Sequence, residues 1–204
     1  MTAPSVPVAG VMLAGGRASR MGGRDKAFAT IGGEPIAERT IRLFQRLFPQ
    51  VIVVTHHPER FAGLGVDLVQ DRFAHCGPLG GIHAALLASR YPSIFAVGCD
   101  MPGLHAEPIQ LLLARIGTAD AIIPRWDGDI EPLHAVYAVR ALPVIEAALQ
   151  QSRQSIRDVL PELNVDYVPD AALRSVRGGP ESLTNVNTPE ELAAVGGQFG
   201  EYES

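Results

Sequence analysis

Short apolar runs that end in glycine or in acidic residues recur along the chain, and stretches of helical spacing lie between them. Val8 to Leu13 (VAGVML) is apolar throughout and ends at Ala14-Gly15-Gly16, the pattern of a buried strand entering a glycine loop. Ile36, Ile41, Leu43, Phe44 and Leu47 follow Pro35 with rough helical spacing, which predicts a helix with Pro35 at its first position. Val51 to Val54 is a β-branched run that suits a strand covered on both faces. Val66 to Val69 is a weaker strand running into Asp71. Pro78 to Ser89 predicts a helix with a glycine-rich start, and Ile94 to Val97 a buried strand leading into Cys99-Asp100. Pro108 to Ile116 predicts a helix. Ala121 to Ile123 and Leu133 to Val139 predict strands around the polar turn Trp126-Asp127-Gly128-Asp129. Helices over Ala141 to Gln150 and Ser155 to Leu160 precede a last strand, Val165 to Val168. Thr188-Pro189-Glu190-Glu191 is a helix start, with a Thr cap, Pro first and Glu third. The tail from Gly196 to Ser204 is expected to fray.

Strands alternating with helices predict an α/β fold. The expected form is a three-layer α/β/α sandwich, Rossmann-like, with a mostly parallel sheet in a single domain over 1–204. The stretch from Asp120 to Val139 breaks the alternation and predicts an antiparallel insertion. In such sheets ligands sit beyond the carboxyl ends of the strands. Attention therefore falls on Ala14-Gly15-Gly16, Asp71 and Asp100.

Charge narrows the function classes. The 204 residues include 22 acidic and 17 basic side chains, a net charge of −5, which argues against a nucleic-acid or anionic-membrane partner. No apolar run reaches the length of a membrane span, and no basic segment precedes the apolar N-terminus, so a cytoplasmic protein is expected. Cys76 and Cys99 have no metal-ligand spacing and read as reduced thiols. The histidines show no ligand spacing either; His56-His57 read as loop residues after a strand, and Trp126 as packing on the insertion. Of the 17 basic residues only Lys26 is lysine. A position that keeps an ammonium in an arginine-rich chain suits a compact point charge on a flexible stem.

Leu13 to Lys26 gathers Gly15, Gly16, Gly22 and Gly23 with Arg17, Arg20, Arg24 and that lysine, directly after a strand. Glycines let backbone N–H groups turn toward an anion, and the cations match phosphate oxygens. A nucleoside triphosphate fits this composition. The Walker pattern and the G-x-G-x-x-G fingerprint are both absent here.

The segment Leu13-Ala14-Gly15-Gly16, then Ser19-Arg20-Met21-Gly22, then Lys26 resembles the signature of the MobA-like nucleotidyltransferases, and among them the molybdenum cofactor guanylyltransferases. Gly77-Pro78-Leu79-Gly80-Gly81 is similar to the family's second glycine motif, and Cys99-Asp100-Met101-Pro102 to its metal-binding motif. Glu131-Pro132-Leu133-His134-Ala135-Val136-Tyr137 and Asn185-Val186-Asn187-Thr188-Pro189 are similar to its later segments.

The resemblance implies transfer of GMP from GTP to molybdopterin-bound molybdenum, with release of pyrophosphate. Residues 1–100 would form the nucleotide-binding part and 101–195 the acceptor part. Lys26, Arg20 and Asp100 are the expected catalytic residues, with Mg²⁺ on Asp100. Backbone groups of Gly15 and Gly16 would cradle the phosphates. The main chain of Leu13 and Ala14 would meet the guanine, with Gly81 beside it and Asp71 near ribose or base. Asn187, with Asn185, would serve the second substrate or the metal's waters. Transient contacts with molybdenum insertion proteins and molybdoenzyme chaperones are implied as well. A cytidylyltransferase for the same cofactor, a sugar-phosphate nucleotidylyltransferase and a non-catalytic nucleotide-binding module stay open as alternatives.

Overall fold

The computed structural model describes residues 7–15, 26–73 and 76–199, without the side chain of Lys26. In chain order its first elements are β1 (Ala9–Leu13), β2 (Thr30–Ile31), β3 (Glu34–Pro35), α1 (Ile36–Leu47), β4 (Gln50–Val54), β5 (Asp67–Val69), α2 (Gly77–Ala88) and β6 (Ser93–Gly98). They continue as α3 (Ala106–Leu113), β7 (Ala121–Trp126), β8 (Asp129–Ile130), β9 (His134–Ala138), α4 (Leu142–Gln150), α5 (Ile156–Val159) and β10 (Val165–Val168). Last come α6 (Asp170–Arg174), α7 (Gly179–Ser182), α8 (Pro189–Ala194) and β11 (Gly197–Gln198).

Successive side chains of a strand face opposite sides of its sheet, and β1 is apolar on both. Ala9, Val11 and Leu13 pack on one side; Met12, with flanking Val8 and Ala14, packs on the other. Such a strand must be covered twice. Leu79 and Ile82 of α2, Ile145 and Ala148 of α4 and Ile156 of α5 cover the first face. Ile41 and Phe44 of α1 and Ile109 and Leu112 of α3 cover the second. The result is the expected three-layer sandwich.

The main sheet runs β5-β4-β1-β6-β9-β7-β10, with β8 paired to β7 at the side. β1 lies parallel between β4 and β6, β4 parallel to β5, and β7 parallel to β10. β9 is antiparallel to both β6 and β7, so the predicted antiparallel insertion is built into the sheet itself. Because β6 and β9 pair, the sheet is continuous across residue 100.

Two local expectations change. Pro35 is not the first helical residue: its ψ of 139° is extended, it pairs with Thr30, and the helix begins at Ile36. The tail does not fray from Gly196. Gly197 and Gln198 pair antiparallel with Ile31 and Thr30, and the Thr30 hydroxyl donates to the Gln198 carbonyl at 3.1 Å. This second sheet, β11-β2-β3, turns at Gly32-Gly33 with φ of +61° and +83°, a conformation glycine adopts without strain. With α8 it covers a small core of Ala29, Ile36, Val186 and Leu192. At α8 the predicted cap forms in full. Glu191 N–H donates to the Thr188 hydroxyl at 3.1 Å, and the Glu191 carboxylate accepts from Thr188 N–H at 3.2 Å. Among the described residues, no helix is long and apolar enough to cross a membrane.

Candidate active site

The backbone ladder continues past the ends of the parallel strands. Ala14 N–H donates to Val54 O at 2.8 Å, Thr55 N–H to Val69 O at 2.9 Å, and Cys99 N–H to Leu13 O at 3.3 Å. These bonds set Gly15, Thr55-His56 and the segment leading to Asp71 side by side at the carboxyl edge of the sheet. The start of α2 closes a cleft over them, lined by Leu13, Gly15, Thr55, His56, Asp71, Gly77 and Gly81. β1 is where the chain crosses over to opposite sides of the sheet, toward β4 and toward β6, and a crevice opens at such a point.

Glycines let α2 approach the sheet edge closely. A Cβ on Gly81 would lie 3.0 Å from Leu13 Cδ2, and one on Gly80 would lie 3.6 Å from Asp71 Oδ2. With no side chain at either position, Leu13 and the Asp71 carboxylate sit close under the helix. The Asp71 side chain is only 12% exposed, and its Oδ1 lies 3.5 Å from His56 Nε2. That oxygen is buried and makes no hydrogen bond among the described residues. A buried acceptor without a donor is costly, so a ligand hydroxyl or amide N–H arriving here relieves a standing deficit.

A second group assembles one strand further along. β9 runs antiparallel to β6, with His134 opposite Val97, so the residues that precede β9 return beside those that follow β6. Glu131 thereby joins Asp100. Its Oε1 accepts from Leu133 N–H at 3.0 Å, and its Oε2 accepts from Asn185 Nδ2 at 3.0 Å. Val186 N–H donates to the Asp100 carbonyl at 2.8 Å, which ties the 185–187 segment to the same place. Burial pushes the Glu131 carboxyl above its ordinary range. The Asp100 charge adds to this, while the Leu133 and Asn185 hydrogen bonds and the Arg157 charge oppose it. Asp100 folds back over Gly98: a Cβ at 98 would meet Asp100 Oδ1 at 2.5 Å.

Among the described residues, no cluster of three or more His, Cys, Asp or Glu surrounds a common point. Two neighbouring carboxylates and an amide are nevertheless a hard-oxygen donor set. They suit Mg²⁺, which uses one or two carboxylates and completes its shell with water and phosphate oxygens.

Of the expected site residues, Leu13, Gly15, Asp71 and Gly81 meet in one cleft. Ala14 adjoins it, although its N–H is taken by Val54 and the Leu13 carbonyl by Cys99, so the sheet uses those two groups itself. Asp100 stands at the end of the adjacent strand β6. Asn187 is exposed, and its N–H donates to the Glu191 carboxylate at 2.5 Å. The Asn185 amide is the one that donates to the Glu131 carboxylate. Gly16 and Arg20 lie outside the described residues; Lys26 opens a single 3-10 turn, Lys26–Phe28, and its side chain lies outside them. Trp126 packs at the edge of the core under the Arg174 guanidinium, 4.3 Å from its ring centre. Cys76 and Cys99 form no disulfide. Glu131 and the His56–Asp71 contact are what sequence reasoning missed. An acidic residue just before an apolar strand was the available signal for the first; none marks the second.

The family model of the MobA-like NTP transferase domain matches residues 10–167. A probable molybdenum cofactor guanylyltransferase of Pelotomaculum thermopropionicum is 34% identical over 183 residues, covering 90% of this chain and 89% of the relative. A molybdenum cofactor guanylyltransferase of Vibrio parahaemolyticus is 32% identical over 197 residues, covering 95% of each. Among solved structures, molybdopterin-guanine dinucleotide biosynthesis protein A from Archaeoglobus fulgidus superposes with a TM-score of 0.80 at 28% identity. The match covers 93% of this chain and 97% of that one.

Proposed function

The chain belongs to the MobA-like NTP transferase family, and we propose that within it the protein is a molybdenum cofactor guanylyltransferase. The reaction joins GTP and molybdopterin-bound molybdenum into the guanine dinucleotide form of the cofactor. A terminal phosphate oxygen of the pterin bonds to the α-phosphorus of GTP, the α–β phosphoanhydride bond breaks, and pyrophosphate leaves. The observation that carries this reading is the row at the sheet edge: a glycine-lined cleft with a buried Asp71 oxygen that makes no hydrogen bond among the described residues, and beside it the Asp100–Glu131–Asn185 group.

The nucleophile is a phosphate, already anionic near neutral pH, so no strong base is needed. The obstacle is bringing two polyanions together, and the residues divide that work. Gly80 and Gly81 let the start of α2 pack close against Leu13 and Asp71, which sets the wall that faces the nucleotide. Asp71 accepts from a ribose hydroxyl or a base N–H. Lys26 and Arg20 bring positive charge to the triphosphate from the glycine loop. Asp100, with Glu131 and Asn185 around it, is the place for Mg²⁺, which when bound supplies charge neutralisation at the phosphates and on the leaving pyrophosphate. Fixed partners reduce the reorganisation needed at the moment of transfer. On this reading the protein works in the cytoplasm and makes transient contacts with molybdenum insertion proteins and molybdoenzyme chaperones.

Pyrophosphate release by Asp100→Asn and Lys26→Arg tests the assignment. Asp100→Asn is expected to lose nearly all turnover, and Lys26→Arg to fall strongly although the charge is kept. Near-normal rates in Asp100→Asn would remove it from the chemistry.

A further inference from the structure

Most described arginines have a carboxylate partner. Arg42 pairs with Glu34, Arg90 with Asp67, Arg115 with Asp166, Arg140 with Asp120, Arg153 with Glu162, Arg157 with Asp129, and Arg174 with Asp127 and Asp170. Among the described residues, Arg39, Arg46, Arg72, Arg125 and Arg177 have none, and three of these, Arg39, Arg46 and Arg177, line one cavity of about 330 Å³. It lies between α1 and α3, the helices that cover the sheet on the side away from α2. None of its lining residues belongs to the cleft around Asp71.

The sequence sets this convergence up on α1. Arg39, Leu43 and Arg46 follow one another at steps of four and three, so they share a face. The two arginines leave the helix roughly 10 Å apart along its axis. The opposite wall is anchored. Arg177 N–H donates to the Glu107 carboxylate at 2.8 Å, and His105 N–H donates to the Ser182 hydroxyl at 2.7 Å. Gly178 follows Arg177 with φ of +73°, and a Cβ there would collide with the His105 ring. The arginine is thus held by backbone that only glycine permits. Pro102 and Leu104, both buried, form an apolar floor. The lining carries three arginines and a single carboxylate, that of Glu107, so the concave site has a net positive charge.

We propose that this groove is a second anion-binding site, built for a small organic molecule that carries two or more phosphate or carboxylate groups. Planar guanidinium groups bind both kinds of oxyanion in bidentate fashion. Two of them spread along one helix favour an anion with separated charges over a single phosphate. The volume is at the low end of small-molecule sites, roughly 300–1,000 Å³. Ten residues line the groove, fewer than the roughly 20–30 a side of a stable protein interface, which sets an acidic peptide second.

Calorimetric titration of the full chain with citrate, fructose 1,6-bisphosphate, inorganic phosphate and a glutamate-rich peptide tests the site. At least one of the two multivalent anions is expected to bind with one-site stoichiometry, and inorganic phosphate at least tenfold more weakly. Citrate and the bisphosphate separate carboxylate from phosphate chemistry. The Arg39→Ala, Arg177→Ala double variant should weaken binding at least tenfold. Arg125→Ala, an exposed arginine stacked on Tyr167, should leave it unchanged. Lys26→Ala should leave it unchanged too. All four substitutions are checked for an unaltered melting curve. The proposal is overturned by absence of binding for both multivalent anions at millimolar concentration, or by equal weakening in Arg125→Ala. It is also overturned by loss that follows Lys26 instead of the groove, or by tighter binding of the peptide than of either small anion.

Discussion

Gly98→Ala separates the fold from the chemistry. Gly98 is the last residue of β6 and is buried, with a backbone conformation open to any L-residue. A methyl group there would lie 2.5 Å from Asp100 Oδ1, with Asp100 Cγ and Leu133 Cδ1 both at 3.7 Å, ordinary contact. A carbon and an oxygen need a little over 3 Å, so the carboxylate oxygen must retreat by about 0.5–1 Å. The fold loses little, because the atom that gives way is the end of a side chain. An off-rotamer carboxylate costs about 0.5–1.5 kcal/mol, and replacing glycine offsets about 0.4–1 kcal/mol of that through the unfolded state. The melting temperature should therefore move by only a few degrees. Catalysis is less forgiving, since a misplacement of about 1 Å can lower a rate ~100-fold. Steady-state pyrophosphate release should show kcat reduced about 10- to 100-fold, with KM for the nucleotide close to wild type. A folded Gly98→Ala protein with kcat within twofold of wild type would refute the placement of Asp100 at the reacting phosphates.

Three further outcomes are expected. His134 is fully buried edge-on against Phe95, both ring nitrogens lack partners among the described residues, and burial holds its pKa down at about 3. The unfolded chain takes up this proton near pH 6.5 while the folded chain refuses it, so stability falls as pH drops below 6.5, by ~2 kcal/mol between pH 7 and 5. Urea unfolding of wild type and His134→Leu at both pH values checks it, and an unchanged pH dependence in the variant would contradict it. Asp71→Asn should raise KM for the nucleotide about tenfold or more with a smaller effect on kcat, as expected for a charged hydrogen bond worth about 1.5–3 kcal/mol; an unchanged KM would remove Asp71 from the nucleotide site. Gly179→Ala would drive a methyl group into the Leu173 carbonyl, where backbone cannot yield, and should cost about 1–3 kcal/mol in a denaturant titration.

What could be read in the chain is what depends on neighbours in sequence. Val8 to Leu13 is apolar at every position, so a doubly covered strand followed from the pattern alone. The Thr188–Glu191 cap is a four-residue device and formed as read. The β11-β2-β3 sheet escaped because two-residue strands carry no periodicity; Gly32-Gly33 was its only mark, and β11 joins it from the other end of the chain. Glu131 escaped for a different reason. Its proximity to Asp100 comes from the antiparallel direction of β9 against β6, which neither segment announces. Asn185 and Asn187 were both visible as candidates. That Asn185 bonds Glu131 depends on how the 185–187 segment hangs from the Asp100 carbonyl. His56 was visible as a loop residue, but its approach to Asp71 requires β4 and β5 to end in register.

The most direct test of the proposed reaction supplies the protein with Mg²⁺, molybdenum-loaded molybdopterin and each of the four nucleoside triphosphates in turn, with the product identified by mass spectrometry. The guanine dinucleotide should form from GTP, with equimolar pyrophosphate and little product from the other three. Formation of the cytosine dinucleotide from CTP instead, or turnover with a sugar phosphate and none with the pterin, would contradict it.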